Sequence, residues 1–334
     1  MVKDPALPLD ADPVLPLDAD PVLPLDADPV LPLDAETDAG LAADPAGESA
    51  VPRPTPRHQQ LIVTIYGLYG RPNGGALPVS ALISMLDDLG VESSGVRSSV
   101  SRLKRRGVLE SVRQGGVAAY RLAPNLEDVF QEGDRRIFSP RRATAADRWL
   151  LIAFSVPESQ RHLRHQLRST LTRMGFGSVT PGLWIAPGNT YEDISHQLER
   201  AGLTEYVEFF KAEHLTAGDV KDKVSRWWDL PALESLYAEF IERFAPVLDR
   251  WESPGAPAPG PDADRSAFAD YVQLLTQWRR LPYLDPGLPE EFLPPGWHGL
   301  TAERIFAELH RLLNGPARQH AERLLGATGS SGTA

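Results

Sequence analysis

Apolar residues recur at helical spacing along most of this chain, and the places where the rhythm changes divide it into parts. From Gln59 the run LIVTIYGLYGR sets Leu61, Ile65 and Leu68 on one helical face, and Pro72, Asn73, Gly74 and Gly75 then break the chain. The stretch from Leu77 to Leu89 predicts a second helix, opened near Pro78 and Ser80 and closed at Gly90. A third helix is expected from Ser93 or Ser94 as far as Gly107. The period then shortens to two. VLESVRQ and VAAYRL flank a Gly115–Gly116 pair, which is a hairpin signal. Residues 124–138 return to helical spacing and predict a connecting helix.

Beyond this point strands and helices alternate. WLLIAFSV, Trp149 to Val156, is a continuous apolar run expected to form a buried strand. A helix over 157–174, a short strand from Leu183 to Ala186, a helix over 190–201 and a strand from Tyr206 to Ala212 follow. This order points to a small α+β, ferredoxin-like domain. Helical spacing dominates 219–250 and again 264–325, with a Pro/Gly/Ala loop at 253–261 and a proline-rich interruption at 282–297. The chain ends in GATGSSGTA, a flexible tail by composition.

The first 56 residues have no such pattern. Residues 10–33 are three identical copies of DADPVLPL, preceded by a degenerate copy, VKDPALPL, at 2–9. Proline blocks helix and the aspartates repel one another, so this segment is expected to be disordered. The expected organisation is therefore a repeat tail at 1–56, a winged helix-turn-helix at 57–123, a connector at 124–145, a ferredoxin-like domain at 146–218, a mostly helical domain at 219–325 and a tail at 326–334.

Composition narrows the function classes. Hydrophobic residues make up 42% of the 334 and charged residues 24%, as in a soluble globular protein. No apolar run is long enough to span a membrane and no secretory leader is visible. The chain has no cysteine, which excludes disulfides, thiolate catalysis and cysteine metal sites and suits a cytoplasmic home. The net charge of −11 argues against nucleic acid until its distribution is read. Residues 1–56 carry a net −10, residues 57–142 a net +5, and residues 143–334 a net −6. One basic segment on an acidic chain is the asymmetry of a DNA-binding module.

The third helix carries the most specific signal. At 100° per residue, Val96, Val100 and Leu103 fall within about 60° of one another and form the buried stripe. Ser94, Ser98, Ser101 and Arg105 lie opposite, with Arg102 beside them, Arg97 and Lys104 on one flank and Arg106 on the other. Small hydroxyl side chains let a helix enter the major groove of double-stranded operator DNA, and an arginine there can make paired hydrogen bonds to guanine. The flanking cations, and Arg113 on the hairpin, suit phosphates. A charge run alone would equally suit a solvated face, but here two helices precede it and a glycine hairpin follows.

LIVTIYGLYGR, VRSSVSRLKRRGVLES and GDRRIF resemble the PaaX family of repressors of phenylacetic acid degradation. The resemblance continues through LIAFSVPESQRHLRHQLRSTLTRMGFG, GLWIAP and WRRLPYLDPGLPEEFLPPGWHG, covering roughly residues 57–325. It implies a winged helix, a central Cas2-like ferredoxin fold and a C-terminal helical effector or dimer domain. It further implies a homodimer on partly palindromic DNA, released by an acyl-CoA effector such as phenylacetyl-CoA. The repeat tail departs from the family pattern.

The Cas2 likeness raises the alternative of a metal-dependent nuclease with a winged helix for targeting. Such nucleases hold metal with an aspartate near the end of the first strand, where this chain has Ser155, a poor magnesium ligand. Asp147 lies at the other end of that strand, and no cofactor or metal is expected. His162 and His165 share a helical face but lack further ligands at a recognisable spacing. Their neighbours Arg161 and Arg164 give that helix a basic face suited to a CoA phosphate, to DNA or to nothing. Trp278, Arg279, Arg280, Tyr283 and Trp297 offer aromatics beside arginines, either an effector pocket or core packing under a proline-rich loop.

Overall fold

The computed structural model of the protein describes residues 58–144, 146–214 and 220–329. The octapeptide repeats and residues 330–334 lie outside these. The architecture is mixed α+β, with two small antiparallel sheets and a helical C-terminal part.

Helix α1 (His58–Ile65) buries Leu61, Ile62, Val63 and Ile65. A stripe that wide must be covered on more than one side, and the helices at Ser93–Arg105 and Pro261–Trp278 both pack against it. The helix widens at its end into a π-helical turn, Tyr66–Gly70. There the buried Tyr66 hydroxyl donates to the Tyr120 carbonyl at 3.0 Å. β1 (Ala76–Pro78), α2 (Val79–Asp87), α3 (Ser93–Arg105), β2 (Leu109–Gln114) and β3 (Val117–Leu122) complete this part. The strands pair in the order β1-β3-β2. Gly115 and Gly116 both have positive φ, +58° and +83°, the conformation of a tight two-residue hairpin turn. α4 (Glu127–Phe138) leads away, tied back by Arg71, which pairs with Glu127 at 2.8 Å and Asp134 at 2.6 Å.

The central part runs β4 (Trp149–Phe154), α5 (Arg161–Arg173), β5 (Gly177–Thr180), β6 (Leu183–Pro187), α6 (Tyr191–Arg200) and β7 (Val207–Ala212). All pairs are antiparallel, in the order β5-β6-β4-β7. This is the β-α-β-β-α-β connectivity of a split βαβ unit. β4 lies between two neighbours and buries Leu150 and Ile152. The sequence reading lacked β5. Its four residues, GSVT, carry one aliphatic side chain and no alternation, so only pairing with β6 reveals the strand.

The C-terminal part comprises α7 (Val220–Trp227), α8 (Leu230–Glu252), α9 (Pro261–Trp278), the single turn α10 (Leu281–Leu284) and the long α11 (His298–Gly329). α9 and α11 pack along one another, α8 covers α11, and α11 reaches α2. Among the described residues no helix is long and apolar enough to cross a membrane.

Polar contacts fix the three parts together. Asp88, at the end of α2, meets His320 of α11 at 2.7 Å and Arg265 of α9 at 2.6 Å. Thr64 of α1 and Thr276 of α9 share a buried hydrogen bond of 2.8 Å. The Trp228 indole donates to the Gly175 carbonyl at 2.9 Å. Gly175 has φ +79°, and a Cβ there would sit 3.0 Å from the carbonyl oxygens of both Tyr283 and Asp285. Left-handed strain and a backbone collision add, so Gly175→Ala is expected to lower stability by about 2 kcal/mol or more. Urea unfolding monitored by circular dichroism checks this.

His310 on α11 lies 2.7 Å from the Tyr271 hydroxyl and against Phe306. Burial pulls its pKa below the ordinary 6.5. The folded state therefore binds this proton less readily than the unfolded chain does. The stabilising contribution is complete above pH 6.5 and is lost as pH falls below it. The urea midpoint is expected to drop between about pH 7 and about pH 5, and to drop less in His310→Asn.

Candidate nucleic-acid interface

Helix α3 presents two chemically opposite faces. Val96, Ser99, Val100 and Leu103 are buried against the rest of the N-terminal part. Ser94, Arg97, Ser98, Ser101, Arg102, Lys104 and Arg105 are all exposed, as is Arg106 just past the last turn. The cations of the final turn, Arg102, Lys104 and Arg105, complement the negative end of the helix dipole. The helix needs them in no ion pair: among the described residues Arg97, Arg102, Arg105 and Arg106 form no salt bridge. Lys104 lies over the Tyr120 ring at 5.6 Å, which seats α3 on strand β3.

The hairpin adds its own cations differently. Arg113 on β2 is exposed and donates to the Gly116 carbonyl at 3.2 Å, close to the turn. Arg121 on β3 pairs with Glu110 across the strands at 2.7 Å. One hairpin arginine is thus presented and the other is engaged. Asp88 would put negative charge near α2, but its pairing with His320 and Arg265 compensates it.

The residues expected to form an effector site are placed mostly in the interior. The Trp278 ring stacks on Phe306, centroids 4.6 Å apart, and its indole donates to the Ile137 carbonyl. Trp297 packs edge-on to Tyr237, and Arg279 is 4% exposed. Tyr283 is buried beneath the Arg136 guanidinium, 4.8 Å from its ring centre, while Arg280 is half-buried. On α5, Arg161 is exposed at the first turn and Arg164 is held by Glu158 and the Val156 carbonyl. His162 and His165 are exposed, and Ser155 is exposed just beyond β4. Asp147 accepts from Thr144 at the far end of that strand, which lowers its pKa. Among the described residues no three His, Cys, Asp or Glu side chains are grouped to hold a metal ion.

A cluster that sequence reading missed lies at the junction of the parts. A cavity of about 420 Å³ is lined by Arg135, Arg136, Arg141 and Arg142 together with Asp193 and Asp285. Arg142 pairs with Glu303 at 2.8 Å and Asp285 at 3.6 Å, and the Tyr237 hydroxyl donates to Asp285 at 2.8 Å. Arg136 donates to the carbonyls of Pro282 and Met174, and burial depresses its pKa. The signal was available in RRIFSPRR, four arginines in eight residues, but nothing local says that they face inward.

An exposed cationic helix and hairpin thus sit on an α+β body whose C-terminal helices hold α1 and α2. Residues 57–126 match the PaaX-like protein family, residues 142–224 the PaaX protein central Cas2-like domain, and residues 228–323 the PaaX-like protein C-terminal domain. The chain belongs to the PaaX family. It is 26% identical over 254 residues to the transcriptional repressor PaaX of Escherichia coli (strain K12), which spans 75% of this chain and 78% of the relative. Among solved structures it is similar to the uncharacterized protein Rv0674 from Mycobacterium tuberculosis, with a TM-score of 0.49, 21% identity, and coverage of 78% of this chain and 97% of that one.

Proposed function

We propose that this protein is a transcriptional repressor that reads double-stranded operator DNA through a winged helix-turn-helix at residues 57–123. The observation that carries the reading is the outer face of α3, which is all serine and cation with no acidic partner among the described residues. Ser94, Ser98 and Ser101 are short enough to let the helix approach base edges. Arg102 and Arg105 then reach guanine. Arg97, Lys104 and Arg106 flank them for phosphate, and Arg113 extends the contact through the hairpin. Residues 124–145 link this unit to a body formed by 146–218 and 219–325.

Membership in the PaaX family, and likeness to a transcriptional repressor of Escherichia coli, support repression. As the family resemblance implies, we further propose a homodimer whose two α3 helices meet two half-sites, released by an acyl-CoA effector such as phenylacetyl-CoA. Release requires that the effector bind unequally to two dimer geometries, only one of which matches the half-site spacing.

A gel shift of the full chain on DNA upstream of its own gene tests this. Arg102→Ala and Arg105→Ala are each expected to weaken specific binding by about tenfold to a hundredfold, a loss of about 1–3 kcal/mol. Lys104→Ala is expected to weaken all DNA alike and to reduce the salt slope by about one. Unchanged affinity in the double arginine variant would overturn the assignment of α3.

A further inference from the structure

A second cavity, of about 810 Å³, opens where the π-helical turn, the base of the hairpin, α4 and α11 meet. Tyr69, Arg121, Phe138, Asn314 and Arg318 are among its walls. Tyr69 is 6% exposed, packs against Phe268, and its hydroxyl has no hydrogen-bond partner. A buried hydroxyl left unpaired is costly, and such atoms concentrate where a ligand completes the bonding. The Nε of Arg121, also buried, has no partner either.

One cation is left over at the site, because Arg121 is paired with Glu110 through an outer nitrogen. The carboxylates of Glu127 and Asp134 are consumed by Arg71. Arg318 forms no salt bridge among the described residues, and its charge opposes the burial that raises the Tyr69 and Tyr271 pKa values. Phe138, 37% exposed, and Leu68 supply apolar wall. The π-helical turn that carries Tyr69 is a rare backbone form that recurs at functional sites. The volume is that of a small-molecule site.

We propose that this cavity binds a small organic anion with an apolar body. Arg318 and the Arg121 Nε meet the anionic head, the Tyr69 hydroxyl donates to it, and Phe138 and Leu68 cover the apolar part. One wall is the end of the hairpin, Arg121 to Pro124, and another is α11. An occupant therefore bridges the reading unit and the C-terminal helices. Linkage then requires that ligand and DNA change each other's affinity by the same factor. That coupling rests on the DNA-binding reading above; occupancy of the site does not.

Calorimetric titration of the full chain with phenylacetate and with phenyl phosphate distinguishes a carboxylate from a phosphate head on a similar aryl body. At least one is expected to bind. Tyr69→Phe and Arg318→Gln, both checked for a native circular dichroism spectrum, are each expected to weaken binding about tenfold, whereas Arg226→Gln on α7 leaves it unchanged. Failure of both probes, or equal binding by the two cavity variants, overturns the proposal. A gel shift without probe reports separately on DNA binding, so either reading can fail alone. Probe binding that leaves DNA affinity unaltered overturns the coupling.

Discussion

Helix α9 carries a buried apolar arc wider than a single neighbour can cover, so it must be packed from more than one side. Phe268, Tyr271, Val272, Leu274, Leu275 and Trp278 are all buried within it. No single neighbour can do this, so α1, α8 and α11 each take a face, and the end of α4 closes on Trp278. Burial of this many large side chains stabilises by several kcal/mol in aggregate. The constraint makes one continuous core out of three parts that are separate in sequence. Orientation of α3 follows from it, because α1 is fixed on α9 and α3 is fixed on α1.

Arginine plays two roles in this fold, and pairing separates them. Arg71, Arg136 and Arg142 are drawn in, satisfied by carboxylates or carbonyls, and they fasten one element to another. Those of α3 stay exposed without a carboxylate. An acidic chain with abundant carboxylates could have neutralised them. The arrangement instead places Glu127, Asp134, Asp193 and Glu303 where structural cations need partners. Net charge is therefore a poor guide to a surface whose cations are sorted in this way.

Sequence was most informative where local periodicity decides the outcome. The phasing of Val96, Val100 and Leu103 located the buried edge of α3, and the paired glycines located the hairpin. Both are properties of neighbours along the chain. β1 and β5 escaped notice because three or four residues carry no period. Trp278, beside two arginines, and Trp297 suited a pocket equally well until their packing partners were known. Arg135 and Arg136 are adjacent, yet one is exposed and the other lies under the surface, a difference set by α10 and α6 rather than by either residue.

The clamp on Asp88 bears on how such a protein can evolve. His320 and Arg265, which hold the end of α2, belong to helices encoded more than 170 residues away. The surface that would choose a DNA sequence is thus propped by side chains that take no part in choosing it. The N-terminal unit is not a detachable cassette. Recombination that exchanged it between relatives would inherit a mismatched foundation, and new specificity is reached more readily by changes on the exposed face of α3 than by transplanting the unit whole.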